Sequence, residues 1–266
     1  MSGAIGVFDS GVGGLTVLRA LRKAMPDARF TYLGDTARLP YGTKSAASVV
    51  RYAGQAADAL LRQGLSCLVV ACNTASAIAL EDLRTRLAPL PVVGVVEPGA
   101  RAAVAATRSG RIAVIATEGT VRAGAYDAAI RRLDPAASVT SAACPLFVAL
   151  AEEGWTDGDI PERVAHRYLE PLLGVATPPD VLLLGCTHFP VLAQVLARVA
   201  GPAVRIVDSA ATTAAEVAAM GLAVSGPGSV RFEATDGAGR FARVGAAFLG
   251  EAIREADVTV LDLGAA

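Results

Sequence analysis

Ala4-Ile-Gly-Val-Phe8 is followed by Asp9-Ser10-Gly11-Val12-Gly13-Gly14, and then by Leu15, Leu18, Leu21 and Met25. An unbroken apolar run, a glycine loop and apolar residues at helical spacing read as a buried strand turning into a helix. The same alternation runs down the chain. Arg29–Leu33, Cys67–Ala71, Val92–Val96, Ile112–Ile115, Ser138–Ala142, Val181–Leu184 and Val204–Val207 are further strand candidates, and Ala56, Leu60 and Leu61 mark another helix. Continuous rather than alternating hydrophobicity is expected of parallel strands covered by helices on both faces. The class is therefore α/β with mainly parallel sheets.

Composition narrows the function. Of 266 residues, 53% are hydrophobic and 18% charged, with a net charge of −1. Such a chain buries a substantial core, and without a basic excess neither nucleic acid nor an anionic membrane is an expected partner. No apolar run reaches the length of a membrane span, and Met1–Gly11 lacks the pattern of a secretion signal. A cytoplasmic, soluble protein is expected. The only lysines are Lys23, on the polar side of a helix, and Lys44, after the turn Pro40-Tyr41-Gly42. Neither suits the buried Schiff-base lysine of pyridoxal phosphate chemistry. Two histidines, His166 and His188, cannot build a three-histidine metal site. Four cysteines in a chain of this length are read as reduced thiols rather than a disulfide framework.

A weak internal repeat singles out two of those thiols. Leu68-Val-Val-Ala-Cys72-Asn-Thr74 resembles Leu182-Leu-Leu-Gly-Cys186-Thr-His188, and Gly3–Ser10 resembles Gly110–Thr117. Each half thus places one cysteine at the carboxyl end of a strand, where sheets of this class bind ligands. Cys67 lies inside a strand and Cys144 precedes Pro145, so both read as inert core thiols. Cys72 and Cys186 are instead followed by Asn73, Thr74, Thr187 and His188, side chains able to hold a ligand, and a helix N-terminus lowers a thiol's pKa. Zinc is the competing use of Cys72, Cys186, His188 and Asp9, but no closely spaced cysteine pair or second histidine ligand supports it.

The Asp9–Gly14 loop fails as a dinucleotide fingerprint. Thr16 occupies the third glycine position, and Asp9 would repel a pyrophosphate. A carboxylate beside free N–H groups better suits a zwitterion. Glu152-Glu153-Gly154 and Glu97-Pro98 lie at element boundaries, where acidic residues are ordinarily solvated.

Taken together, the chain resembles the glutamate racemases of the cofactor-independent aspartate/glutamate racemase superfamily. The segments that carry the likeness are Gly6–Gly14, Gly34–Gly42, Val69–Ser76, Gly94–Gly99, Cys144–Gly154, Leu184–Pro190 and Asp208–Ala210. The resemblance implies two similar α/β domains facing each other across a central active-site cleft, one of residues 1–97 plus 208–266 and the other of 98–207. It implies interconversion of L- and D-glutamate by two bases, without cofactor or metal, supplying D-glutamate for peptidoglycan. It assigns Cys72 and Cys186 as the bases, with Asp9 assisting the first and His188 and Glu152 the second. Ser10, Tyr41, Gly42, Asn73, Thr74 and Thr187 match substrate-binding positions, as do Asp9 and His188, and Thr117 and Thr120 are further candidates. A homodimer is implied as well. Phe189 and Ala149 depart from the tyrosine and proline common in the family, at positions outside the chemistry. An aspartate or hydantoin racemase, a thiol hydrolase using His188 as base, and a non-catalytic amino-acid binding protein are the alternatives.

Overall fold

The computed structural model describes residues 3–223 and 227–264. Met1, Ser2, Val224, Ser225, Gly226 and the last two alanines, all within the segments expected to form the first domain, lie outside the described residues. The first half runs β1 (Ala4–Asp9), α1 (Leu15–Ala24), β2 (Arg29–Gly34), α2 (Ala46–Leu61), β3 (Leu65–Val70), α3 (Asn73–Leu87) and β4 (Val92–Gly94). The second runs α4 (Val96–Ala106), β5 (Arg111–Ala116), α5 (Glu118–Ala123), α6 (Ala125–Leu133), β6 (Ser138–Ala143), α7 (Leu146–Glu152), α8 (Asp159–Leu173), β7 (Val181–Gly185), α9 (Ala193–Ala200) and β8 (Arg205–Asp208). The chain then returns to the first sheet through α10 (Ala210–Ala219), β9 (Ser229–Ala234), α11 (Ala238–Leu249) and β10 (Val258–Val260).

Two wholly parallel sheets result, ordered β10-β9-β2-β1-β3-β4 and β6-β5-β7-β8. Successive side chains point to opposite faces, so each sheet feeds two cores. Val7 and Val69 enter the core under α1 and α11, whereas Phe8, Leu68 and Val70 enter the one under α2 and α3. In the second sheet Ile115, Leu182 and Leu184 pack with α7, α8 and α9, and Val114, Val181 and Leu183 with α4 and α6. Burial of each such side chain contributes roughly 1.5–3 kcal/mol, which is why these runs are unbroken.

The two sheets repeat one topology, β2-β1-β3-β4 against β6-β5-β7-β8. In each, the chain steps to one side of the first strand and then crosses to its other side. This creates a switch point between β1 and β3, and another between β5 and β7. A crevice opens at the carboxyl ends of strands at such a point. Asp9 ends β1 and Cys72 follows β3; Thr117 follows β5 and Cys186 follows β7.

Two readings of the sequence require correction. The run Val92–Val96 is not all strand: β4 stops at Gly94 and Val96 opens α4. Glu97 and Pro98 suit a first helical turn, where an acid meets the helix dipole and proline loses no hydrogen bond. Strands β9 and β10 escaped the apolar-run criterion because Ser229-Val-Arg-Phe-Glu-Ala234 alternates polar and apolar residues and β10 is only 3 residues long. Among the described residues, no helix is long and apolar enough to cross a membrane.

Candidate active site

The first switch point holds Cys72. Its sulfur caps α3, accepting the Ala75 N–H at 3.4 Å, and its thiol donates to Ser10 Oγ at 3.4 Å. Burial pushes the Cys72 thiol up to about 12, the Asp9 carboxylate adds to that, and the Ser10 and Ala75 hydrogen bonds only partly oppose it. The lowering expected from a helix N-terminus is therefore outweighed by desolvation. Asp9 is wholly buried, and burial raises its own pKa against the pull of His188 and of backbone N–H groups. Its Oδ2 accepts the Gly11 N–H at 2.9 Å and its Oδ1 the Thr187 hydroxyl at 3.4 Å. The Asp9 carboxylate thus already uses loop donors that the sequence left free for a ligand.

The second switch point is built differently. Cys186 Sγ lies 4.0 Å from His188 Nδ1, and His188 Nε2 lies 3.1 Å from Glu152 Oε1. Arg240 donates to Glu152 Oε2 at 2.7 Å, so the carboxylate is bonded on both oxygens. Burial alone would lower His188, but the hydrogen bonds to Cys186 and Glu152, with the charges of Cys186 and Asp9, raise it to about 10. The bond from His188 holds Glu152 below the usual carboxylate range despite burial, with Arg240 assisting. Glu152 is thus no solvated boundary residue, whereas Glu153 is exposed and Glu97 pairs with Arg84 and Arg132.

The two switch points are pressed together. A Cβ on Gly13 would lie 2.4 Å from Thr187 Oγ1 and 2.5 Å from His188 Nδ1, so only glycine permits this approach of the first loop to the second. Thr16 Oγ1 adds a hydrogen bond to the Thr187 carbonyl at 3.3 Å. Across the site, Thr74, Thr117 and Thr120 form a triangle of hydroxyl contacts at 2.9, 3.1 and 3.0 Å. Gly42 packs there too, since a Cβ on it would meet Thr117 Cβ at 2.5 Å. Tyr41 is buried and its hydroxyl bonds Asp35, so its side chain belongs to the core under α2 and α3. Asn73 is oriented by Tyr126, whose hydroxyl donates to Asn73 Oδ1 at 2.5 Å. Cys72 and Cys186 are 5% and 6% exposed, so the site is closed to bulk water.

Cys67 and Cys144 are fully buried, and burial pushes both up to about 12. Phe189 packs edge-on against Phe147 in the second core, and Ala149 is exposed on α7. Arg240, Tyr126 and Phe248, whose ring meets His188 edge-on at 5.1 Å, were not found from the sequence. None stands in a recognisable motif; the helical spacing of Arg240, Val244 and Phe248 was the only available signal. Among the described residues, no group of three or more His, Cys, Asp or Glu side chains could hold a metal ion.

Duplicated parallel sheets with meeting switch points define an α/β fold that carries a buried thiol at each switch point. The chain belongs to the Asp/Glu/Hydantoin racemase family, whose model matches residues 15–217, and it is accordingly a racemase, an isomerase. A glutamate racemase of Geobacter metallireducens is 51% identical over 253 residues, 93% of each chain. The crystal structure of a glutamate racemase isoform from Bacillus anthracis superposes with a TM-score of 0.92 at 36% identity, covering 98% of both chains. That of the Francisella tularensis glutamate racemase in complex with D-glutamate gives 0.91 at 33% identity, again over 98% of both.

Proposed function

We propose that this racemase interconverts L- and D-glutamate with Cys72 and Cys186 as its two bases. The observation that carries this reading is the pair of buried thiols at meeting switch points, one among neutral or anionic groups and one beside a cationic imidazole. Inversion at the α-carbon needs proton removal on one face and delivery on the other. A thiolate takes the α-proton, the C–H electron pair remains on the substrate, and the opposite thiol donates its proton to the other face. For the reverse reaction the roles exchange. His188 keeps a positive charge beside Cys186, held there by the hydrogen bonds to Cys186 and Glu152. Cys72, pushed up to about 12, rests loaded with a proton.

Without an electron-sink cofactor, the carbanionic state relies on directed hydrogen bonds and exclusion of water. Ser10, Asn73, Thr74 and Thr187 offer polar groups beside the two sulfurs, joined by Thr117, Thr120 and the Gly42 backbone. Asp9 offers a carboxylate to the substrate ammonium. Sheet membership supports a division into residues 1–97 plus 208–266 and 98–207, with substrate entering as the two halves part. A homodimer, a cytoplasmic location and supply of D-glutamate to peptidoglycan complete the reading. Purified protein given L-glutamate without additions should yield D-glutamate by chiral chromatography, with aspartate and hydantoin turned over far more slowly. Preference for either alternative substrate would contradict the assignment.

A further inference from the structure

Glu152 and His188 lie on elements of the second sheet, yet the group that fixes Glu152 comes from the first. α11 packs in the first sheet's core through Phe241, Ala242 and Phe248, while Phe147 and Leu150 of α7 belong to the second sheet's core. Arg240, Val244 and Phe248 recur every four residues and so share one face of α11. Arg240 donates to Glu152 at 2.7 Å, Val244 borders the same cavity as Glu152, and Phe248 touches the His188 ring. An ion pair of this length on an open surface contributes little. Here the Arg240 side chain is 50% exposed but its partner Glu152 only 12%, and the second carboxylate oxygen is committed to His188.

We propose that Arg240 is a positioning residue that holds Glu152 against His188, so that the support of Cys186 is assembled only when the two halves of the molecule are closed. This rests on the two-thiol reading above. Glu152 has room to leave: a cavity of about 240 Å³ borders Glu152, Arg240, Val12, Leu39 and Val244. Arg240 is the α11 side chain bonded to Glu152, and without it the carboxylate can turn away from the imidazole into the cavity. Asp236 borders the same cavity and cannot replace the lost cation. The other charged groups facing His188 are Cys186 and Asp9, which the substitution leaves in place.

Because the chain has 2 histidines and His166 is exposed, nitrogen-15 histidine labelling reads the His188 ring directly, with His166 as an internal reference. In Arg240→Met the titration midpoint of His188 is expected to fall by about one unit or more, as a carboxylate neighbour is lost. kcat is expected to drop about tenfold with a smaller change in KM, since misplacing a supporting group acts on the chemical step. Arg240→Lys should restore part of both. An unchanged His188 midpoint together with an unchanged kcat in Arg240→Met would overturn the inference. Loss of activity with an unmoved midpoint would overturn it equally, by assigning Arg240 a role in folding or closure alone. If the parent protein fails to racemise glutamate, the functional reading falls, and the His188 midpoint still decides the role of Arg240.

Discussion

Cys72 and Cys186 stand at equivalent points of a duplicated sheet, yet their surroundings have opposite character. Cys72 meets a hydroxyl, a helix N–H and the Asp9 carboxylate, and its proton is held tightly. Cys186 meets an imidazole whose proton is held by hydrogen bonds to Cys186 and Glu152, and Glu152 is in turn bonded by Arg240. The repeated backbone places two sulfurs; the side chains around them, which do not repeat, surround each with different partners. In the proposed two-base racemisation one sulfur must hold a proton while the other lacks one, and the two exchange these roles with direction.

The comparison breaks most readily at the sulfurs. Cys72→Ser and Cys186→Ser should each lower kcat/KM for net racemisation by at least ~10³-fold, as each removes one face's proton carrier. Chiral product analysis reads this, and near-parental turnover by either variant would end the two-thiol assignment. Next in size is the contact between the loops. Gly13→Ala forces Thr187 and His188 aside and is expected to cost about 10²-fold in kcat. Gly11→Ala is its control, because a Cβ there meets only the Leu39 side chain, at 3.6 and 4.0 Å, and should leave steady-state rates close to the parent.

The pH dependence of stability sharpens the Cys186 side. His188 is raised from its ordinary 6.5 to about 10 in the folded protein, so it contributes stability fully present below about 6.5. That contribution is lost progressively as pH climbs toward 10. Denaturant unfolding of the parent and of His188→Asn should therefore converge between pH 7 and 10, and a constant gap would show that His188 is not charged in the native state. The smallest effect is expected at Cys67. Cys67→Ala should cost about 1 kcal/mol of unfolding free energy through lost packing in β3 while kcat stays unchanged. An inactive but stable Cys67→Ala protein would contradict its placement as core.

Much of this was legible in the sequence because the relevant residues sit in continuous apolar strands and the polar loops that follow them. Leu68–Thr74 and Leu182–His188 show both the repeat and the thiols, and the β1 loop shows Asp9 and Ser10. The Cys186 support was only half legible. Glu152 ends the short helix α7 and looks solvated until His188 and Arg240 are folded onto it. Arg240 and Phe248 lie on α11, in the C-terminal stretch without motifs, and reach the site by long-range packing rather than local pattern. Strand β9 was hidden for a related reason: Arg231 and Glu233 interrupt its apolar run, while Phe232 packs against the first core.

The central claim is that opposite faces of the α-carbon are served by different sulfurs. The most direct measurement follows L-glutamate with the protein in D₂O, determining deuterium at the α-carbon of each enantiomer at low conversion. The account expects D-glutamate carrying solvent deuterium, while the remaining L-glutamate keeps its protium. Equal early deuterium in both enantiomers would mean that one base serves both faces, and would contradict it.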